Sequence, residues 1–546
     1  MRTFGVCKFF SALIAFAAMP GIAQAALVIS KAPTSNVTCA AGVCTAVAAD
    51  AVLNVKDLKS LLRHADLRIV SGSAAQDIAF NATLNWTQST RLTLDAYRSI
   101  AFTQPVTAEG PGAVTLTTND GGAGGDYMFT GKGKLAFWDV SSSLIINGTS
   151  FTLVGDIATL ANDVSGNASG RYALARDYDA APDGTYSKAP ITKDFQGTLE
   201  GLGNGISRLS IDDETPHNSI GLFAVLGSAG LIRDIGLSRI RFTAGNLSHA
   251  GGLAGQSLGA IANAFVTGSI RTGDGDGKTA GAGGLVGYST GSIVKSHAAV
   301  SLDVGAQQIV GGLAGENSGI VSDSHASGAI KAAAGVGYVG GFVAINHPSG
   351  TITRCHATGN VAAGKEPIIG SFMGSNFGTI TQSYALGSVI KAGLGASEAG
   401  FSGFNASGAT ITQSYSRGDV SGSGGNKTFD DATGGFVAFN LGAIVQSYST
   451  GAPSAGDRGT SYVGGLLGFD GAAPGSLVNT YWDLDTSGIA DPARGAGDPP
   501  NDPGITGLTS SQFKSGLPAG FDSNVWGQNA AINDGYPYLL ANPPEK

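Results

Sequence analysis

One short pattern of glycine and apolar residues recurs eight times between Gly251 and Trp482. Most copies place two small residues before an apolar pair, as in Gly-Gly-Leu-Ala-Gly at Gly251 and Gly-Gly-Phe-Val-Ala at Gly340. The second residues of the pairs are predicted to be equivalent, and they lie at 252, 284, 312, 341, 370, 400, 435 and 465. Successive copies are therefore 32, 28, 29, 29, 30, 35 and 30 residues apart. A nearly constant period of this length indicates stacked structural units, none of which can bury its apolar face alone.

The third copy illustrates the strands that one unit is predicted to contain. Leu313 lies between glycines and is predicted to point inward, and Asn317 and Gly319 mark a tight turn because both residue types tolerate left-handed backbone geometry. A second strand is predicted through His325 and a third from Ile330. Three short strands and three turns in about 30 residues match one coil of a parallel β-helix, whose successive coils stack about 4.8 Å apart.

Stacking predicts columns of equivalent side chains, the first of them at the turn. This column comprises Ser257, Ser289, Asn317, Asn346, Asn376, Asn405, Asn440 and Asp470. Its side-chain amides are predicted to form a structural ladder, hydrogen-bonded from coil to coil as in cross-β structures. A groove for a polar ligand is the alternative interpretation.

A second column consists of flat rings. It comprises Phe265, His297, His325, His356, Tyr384, Tyr415, Tyr448 and Tyr481. Two of the three successive histidines could share a metal ion, since imidazole is a common zinc ligand. Phenylalanine and tyrosine occupy the same column, however, which favours ring stacking as the role of the imidazoles. The prediction is therefore no metal site and no cofactor.

The residues before the repeats are predicted to be mainly β-structure as well. A short amphipathic helix is predicted from Asn54, which can cap it, to His64. From Leu67 to about Leu153, short strands with alternating apolar residues recur between turns. Residues 151–245 continue with less regular units, and no linker is apparent between residues 67 and 485.

The N-terminus has the parts of a secretory signal. Arg2 and Lys8 precede an apolar run, and Ala23-Gln24-Ala25 forms a small-residue cleavage site. Because export leads to an oxidising compartment, a disulfide between Cys39 and Cys44 is predicted, with half of a metal site as the alternative. The predicted organisation is a signal peptide at 1–25, an N-terminal cap at 26–66, an irregular β-helix at 67–245, the repeat β-helix at 246–485 and a Pro/Gly-rich C-terminal cap at 486–546.

Composition and charge narrow the functional classes. The 85 glycines and the charged fraction of 13% suit many short strands and turns, and the net charge of −8 argues against nucleic acid or anionic membranes as partners. No segment after the signal is long and apolar enough to cross a bilayer as a helix. Glycan lyases and hydrolases need clustered carboxylates or bases, in which the repeats are poor. The chain is therefore predicted not to be an enzyme and to have no catalytic residues.

Particular segments resemble a known family. Gly283–Ala298, which reads Gly-Gly-Leu-Val-Gly and ends Gly-Ser-Ile-Val-Lys-Ser-His-Ala, resembles the GLUG repeat of secreted bacterial proteins of the filamentous haemagglutinin and two-partner-secretion kind. Leu92–Ile100, Arg171–Asp179, Phe195–Gly203 and Asn479–Asp483 are also similar to those exoproteins. The resemblance implies a right-handed parallel β-helix that a Gram-negative bacterium exports and displays at its outer membrane or releases, with adhesion as its role.

The resulting prediction is a secreted or surface-displayed, adhesin-like β-helix. Its expected partners are a glycan or protein on a host or bacterial surface and an outer-membrane secretion partner, and the periplasm is an alternative location. A polysaccharide lyase or hydrolase on the same fold and a non-catalytic component of a biofilm matrix are the alternative functions.

Overall fold

A computed structural model of the chain describes residues 25–335, 337–364, 368–391, 397–422, 431–454 and 461–544. The protein is all-β and forms a parallel β-solenoid of about 15 turns with ~29 residues per turn, which confirms the predicted fold class. It divides into two compact units, Met1–Phe151 and Thr152–Lys546. The predicted signal peptide lies outside the described residues except for Ala25.

The described part of the first unit, residues 25–151, contains short and mostly parallel strands in three sheets. In spatial order, one sheet comprises Tyr127–Phe129, Ile100–Phe102, Asp77–Phe80, Ala26–Ser30 and Val52–Asn54. Another comprises Lys134–Phe137, Pro105–Ala108 and Leu84–Trp86. The strands that pair in the third are Val37–Ala40, Val43–Ala46, Leu67–Val70, Arg91–Asp95, Ala113–Thr117 and Leu144–Ile146.

The predicted capping helix of this unit spans Val55–Leu62, and a one-turn helix spans Gly72–Ala75. The longer helix begins after Asn54, whose side chain accepts a hydrogen bond from the backbone N–H two residues later at 2.8 Å. Leu58 and Leu62 are buried because they share one face of this helix.

The second unit stacks its coils into three sheets. Among the described residues, one sheet has nine strands: Ser219–Ile220, His249–Gly251, Gly281–Gly283, Ile309–Gly311, Tyr338–Gly340, Ile368–Gly370, Ser397–Ala399, Asp431–Gly434 and Ser461–Gly464. The next has ten: Phe223–Leu226, Ala254–Ser257, Val286–Ser289, Ala314–Asn317, Val343–Asn346, Met373–Asn376, Ser402–Asn405, Val437–Asn440, Leu467–Asp470 and Ala496–Asp498.

The third sheet of this unit holds the remaining parallel strands. They are Thr149–Val154, Arg171–Leu174, Tyr178–Asp179, Thr185–Tyr186, Thr198–Glu200, Gly205–Ser207, Ser210–Asp213, Leu231–Arg233, Gly236–Ala244, Ala260–Ala262, Phe265–Thr272, Ser292–Val294, His297–Val304, Ile320–Ser322, His325–Ala326, Ile330–Ala332, Thr351–Thr353, His356–Ala357, Val361–Ala363, Thr379–Thr381, Tyr384–Ala385, Val389–Lys391, Thr410–Thr412, Tyr415–Ser416, Val420–Ser421, Ala443–Ser449, Pro453–Ser454, Leu477–Asp483 and Ile505–Leu508.

Helical segments are few in the described part of the second unit. The α-helices are Ile157–Gly166 and Ser510–Ser515, the 3-10 helices are Ala181–Asp183, Pro492–Gly495 and Asn533–Gly535, and a small antiparallel pair joins Trp526–Gly527 to Tyr538–Leu539. The first of these helices was not predicted from the sequence, although Asp156 caps it and Ile157, Leu160 and Val164 bury one face.

The core of the repeat region is a column of large apolar residues. Within it, Phe342, Phe372, Phe401 and Phe436 are fully buried, and their rings stack with centroids 4.9, 4.7 and 4.7 Å apart. Because these distances equal the spacing of paired strands, one ring is contributed by each coil.

The glycines of the repeat allow two of the three sheets to approach closely. A Cβ on Gly340, in the nine-stranded sheet, would lie 1.9 Å from the carbonyl oxygen of Val343. A Cβ on Gly315, in the ten-stranded sheet, would lie 2.8 Å from the backbone nitrogen of Ala282 in the nine-stranded sheet. The recurring motif therefore meets a packing requirement between sheets.

At the fifth copy the register differs from the alignment made on the sequence. Gly370 pairs with Gly340 and with Ala399, so it occupies the first position of the motif and Ser371 the second. The serine is accommodated because its hydroxyl donates a hydrogen bond of 2.6 Å to the carbonyl oxygen of Gly387.

Candidate functional site

The turn residues singled out in the sequence lie in one column of paired strands. Strand register joins Ser257, Ser289, Asn317, Asn346, Asn376, Asn405, Asn440 and Asp470 in that order. From Asn317 toward the C-terminus, the Nδ2 of each asparagine donates a hydrogen bond to the Oδ1 of the equivalent residue in the next coil. The five distances are 2.9, 2.9, 3.0, 2.8 and 2.7 Å. The five asparagines have no exposed surface, so their amides hold coils together and do not line a groove.

The ring residues also share one column. Strand register joins Phe265, His297, His325, His356, Tyr384, Tyr415, Tyr448 and Tyr481. The imidazoles of His297, His325 and His356 stack with centroids 4.6 and 4.7 Å apart and planes within 5° of parallel. Imidazole lone pairs lie in the ring plane, so parallel stacked rings do not direct them at one metal ion. No group of three His, Cys, Asp or Glu able to hold a metal occurs in the described ranges.

A segment after the last coils packs against the side of the ring column. We call residues 509–544 the C-terminal strap. Its bulky residues form one buried cluster with the tyrosines of the column: Tyr384, Tyr415, Tyr448, Tyr481, Phe513, Phe521, Trp526, Tyr536 and Leu539. The strap belongs to the predicted C-terminal cap at 486–546, and in the structure it lies along several coils. The preceding residues extend the solenoid, because Ala496–Asp498 and Ile505–Leu508 pair with strands of the last repeat.

At its far end the strap reaches the third histidine of the column. Asn542 donates from Nδ2 to the carbonyl oxygens of Cys355 and Gln382, at 3.1 and 3.2 Å. Its Oδ1 lies 3.2 Å from Nδ1 of His356, which must therefore carry the proton in this contact. Burial lowers the pKa of His356 to about 4, while the hydrogen bond with Asn542 acts in the opposite direction.

Two neighbouring tyrosines meet the strap differently. The hydroxyl of Tyr448 donates to the carbonyl oxygen of Pro537 at 2.5 Å and accepts from Nδ2 of Asn533 at 2.9 Å. The hydroxyl of Tyr415 has no hydrogen-bond partner among the described residues. Both rings are fully buried, and burial raises the pKa of both phenols far above the ordinary value.

Cys355, which is free and buried, occupies a place in a serine ladder. Backbone N–H groups in this column donate to the hydroxyl one coil further on, as from Ser383 to Ser414 at 3.3 Å and from Cys355 to Ser383 at 3.2 Å. The thiol of Cys355 lies 3.3 Å from the carbonyl oxygen of Thr353, where the column's serines place their hydroxyls. Burial raises the pKa of this thiol, so Cys355 is a packing residue and not a nucleophile.

Two further cysteines are paired near the N-terminus. Cys39 and Cys44 form a disulfide with their Cα atoms 4.1 Å apart, across the antiparallel strands Val37–Ala40 and Val43–Ala46. The bond closes a tight hairpin, and it leaves neither thiol available as a metal ligand.

Comparison with known proteins gives limited matches. No protein-family model matches the chain, so membership of the GLUG-repeat exoproteins stays a prediction. A segment of 154 residues, 27% of the chain, is 31% identical to halomucin of Haloquadratum walsbyi, and the match spans 2% of that protein. Among the described residues, no helix has both the length and the apolar character needed to cross a membrane.

Two solved structures are similar in part. A protein from Bacteroides ovatus, named as a proposed immunoglobulin A1 protease, aligns with a TM-score of 0.35 and 13% identity over 72% of this chain and 93% of its own. A structure named IgA1 protease aligns with a TM-score of 0.35 and 17% identity over 59% of this chain and 24% of its own.

These names contradict the prediction that the chain is not an enzyme. Both structures are named as immunoglobulin A1 proteases, and the prediction, which rested on composition alone, was wrong. The scarcity of acidic clusters in the repeats does not establish that an activity is absent, because a site can lie on other segments of a β-helical protein. The alignments themselves assign no activity to this chain.

Proposed function

We propose that the protein is exported and acts at the cell surface, where its solenoid mediates attachment to a surface glycan or protein. The observation that carries this proposal is the repetition of outward positions from coil to coil in the second unit. Equivalent outward residues lie in register over successive coils, for example Arg271 with Asp303 and Asp303 with Lys331. A repeated surface can engage a repetitive ligand at several points, so that weak contacts add up to strong attachment.

The internal ladders support this function by making the repeated surface rigid. Buried asparagine amides, buried serine hydroxyls and stacked rings each connect one coil to the next, as described above for Asn376, Ser383 and Tyr384. A surface that is already ordered loses little conformational entropy on binding. The signal peptide predicted at residues 1–25 is the support for export.

Deletion and complementation test this proposal. Cells lacking the protein are compared with wild-type cells for attachment to immobilised glycans, host-cell proteins and neighbouring bacteria. Intact cells are also treated with protease, and loss of the full-length chain is followed by immunoblot. Complementation with a chain that lacks residues 1–25 is the control, since it removes the signal and leaves the solenoid unchanged.

The proposal predicts reduced attachment in the deletion strain, rescue by the full chain alone, and cleavage of the protein on intact cells. Unchanged attachment together with protection from external protease would contradict it.

A further inference from the structure

Three successive coils present a regular array of threonines on one outer face. We call Thr351, Thr353, Thr379, Thr381, Thr410 and Thr412 the threonine face. Each coil contributes a Thr-Ile-Thr strand, and the isoleucines Ile352, Ile380 and Ile411 are fully buried. Because neighbouring residues of a strand point to opposite sides, the threonines flanking each isoleucine point outward.

The array is a two-dimensional net. Strand register places Thr351, Thr379 and Thr410 in one row and Thr353, Thr381 and Thr412 in the other. Along the solenoid, the coil spacing is given by the stacked rings of the same coils, 4.7 Å from His356 to Tyr384 and 5.0 Å from Tyr384 to Tyr415. Across each strand, two residues span about 6.7 Å.

Buried hydrogen-bond ladders fix the positions of the strands that carry the threonine face. Asparagine amides bonded from coil to coil precede the Thr-Ile-Thr strands, and a serine ladder that includes Cys355 and Ser383 follows them. Threonine is β-branched and has restricted χ1 rotation, so its methyl and hydroxyl groups keep fixed directions. The face therefore presents methyls and hydroxyls at regular intervals, with little freedom to adapt to an irregular partner.

Charge and area exclude several classes of ligand for this face. The adjoining coils place Ile320 with Ser322 and Ala443 with Val445 in the same two rows, so five successive coils carry no charge there. Phosphate and carboxylate ligands require cationic partners, and protein interfaces depend on aromatic or arginine anchors. Five coils of about 4.8 Å and a width of about 10 Å give on the order of 250 Å², well below the ~800 Å² per partner of a stable interface. A second copy of the chain is thus not the occupant.

We propose that the threonine face binds ice. The prism faces of hexagonal ice present water oxygens in a rectangular net with repeats close to those of the threonines, and this ligand is neutral and rigid. Threonine hydroxyls at lattice positions can hydrogen-bond with ordered water, and the methyls between them fill hollows of the ice surface. The proposal does not depend on the attachment function, since ice binding needs no cell.

Partition into ice tests the proposal with the purified mature chain. Protein in buffer is partly frozen on a cooled probe, and its concentration in the ice is compared with that in the liquid. Inhibition of ice recrystallisation is measured on the same samples. The informative variant is Thr381→Tyr, because a bulky ring in the middle coil breaks the flatness of the face while keeping a residue that favours strands.

The matched control is Ser301→Tyr, which adds the same ring at an exposed strand position away from the threonine face. Circular dichroism and thermal melting establish that both variants fold like the unmodified protein. We expect the unmodified chain and Ser301→Tyr to enrich in ice and slow recrystallisation, and Thr381→Tyr to fall to the level of a non-binding protein. Exclusion of the unmodified chain from ice, or full activity of a folded Thr381→Tyr variant, would overturn the proposal.

Discussion

The strap contact at Tyr448 can be tested by removing one oxygen atom. In Tyr448→Phe the stacked ring stays, but the carbonyl oxygen of Pro537 loses a donor and Nδ2 of Asn533 loses an acceptor. Each buried hydrogen bond contributes about 1 kcal/mol, so the strap should be destabilised by about 2 kcal/mol. Tyr415→Phe is the matched control, because its hydroxyl has no partner among the described residues and its removal should leave stability equal or higher.

Hydrogen exchange measured by mass spectrometry is the suitable assay, because a solenoid of this size need not unfold in a single step. A loss of about 2 kcal/mol corresponds to about 30-fold faster exchange of the protected amides in residues 509–544. Peptides of distant coils, such as those around Val286, serve as the internal reference. Equal exchange of the strap in Tyr448→Phe and Tyr415→Phe would refute the assigned role of the Tyr448 hydroxyl.

Three further outcomes are expected. Asn376→Ala should lower the free energy of unfolding by about 2–4 kcal/mol, because Asn346 loses its acceptor and Asn405 its donor in a buried ladder. Thermal or denaturant melting measures this loss, and an unchanged melting curve would contradict it. Cys355→Ser should preserve stability and native Cys355 should resist thiol reagents until unfolding, whereas rapid native labelling would contradict its burial. Burial lowers the pKa of His356 from 6.5 to about 4 in the folded chain, so the unfolded chain binds the proton first as the pH falls. Up to about 3 kcal/mol of stability should therefore be lost between pH 6.5 and about pH 4. His356→Phe should remove that part of the pH dependence, and an unaltered profile would contradict it.

Much of the repeat region could be predicted because the same short sequence pattern recurs in every coil. The spacing of the Gly-Gly motifs sets the coil length, and asparagine and ring residues at constant offsets from it fall into columns. The error at Gly370 shows the limit of this reasoning. The sequence offers two small residues, Gly370 and Ser371, beside an isoleucine, and only strand pairing decides which of them takes the first position.

The position of the strap could not be predicted from the sequence, because it depends on contacts between distant residues. Asn542 and His356 are 186 positions apart, and nothing in either local sequence marks the other as its partner. The bulky residues Phe513 and Trp526 indicate that the segment packs against apolar surface, but both the open end of the solenoid and its side satisfy that requirement. The helix Ile157–Gly166 was missed for another reason, since its apolar residues stood among strand-like units.

Spin-label distances along one outward column test the stacked-coil structure most directly. Labels are attached to cysteines introduced at Ala260 and Thr379, four coils apart in register, and at Ala260 and Ala443, six coils apart. At about 4.8 Å per coil, the Cα separations should be about 19 and 29 Å, so the two measured distances should differ by about 10 Å whatever the label adds. Two distances that do not increase with the number of coils would contradict the solenoid and every surface inferred from it.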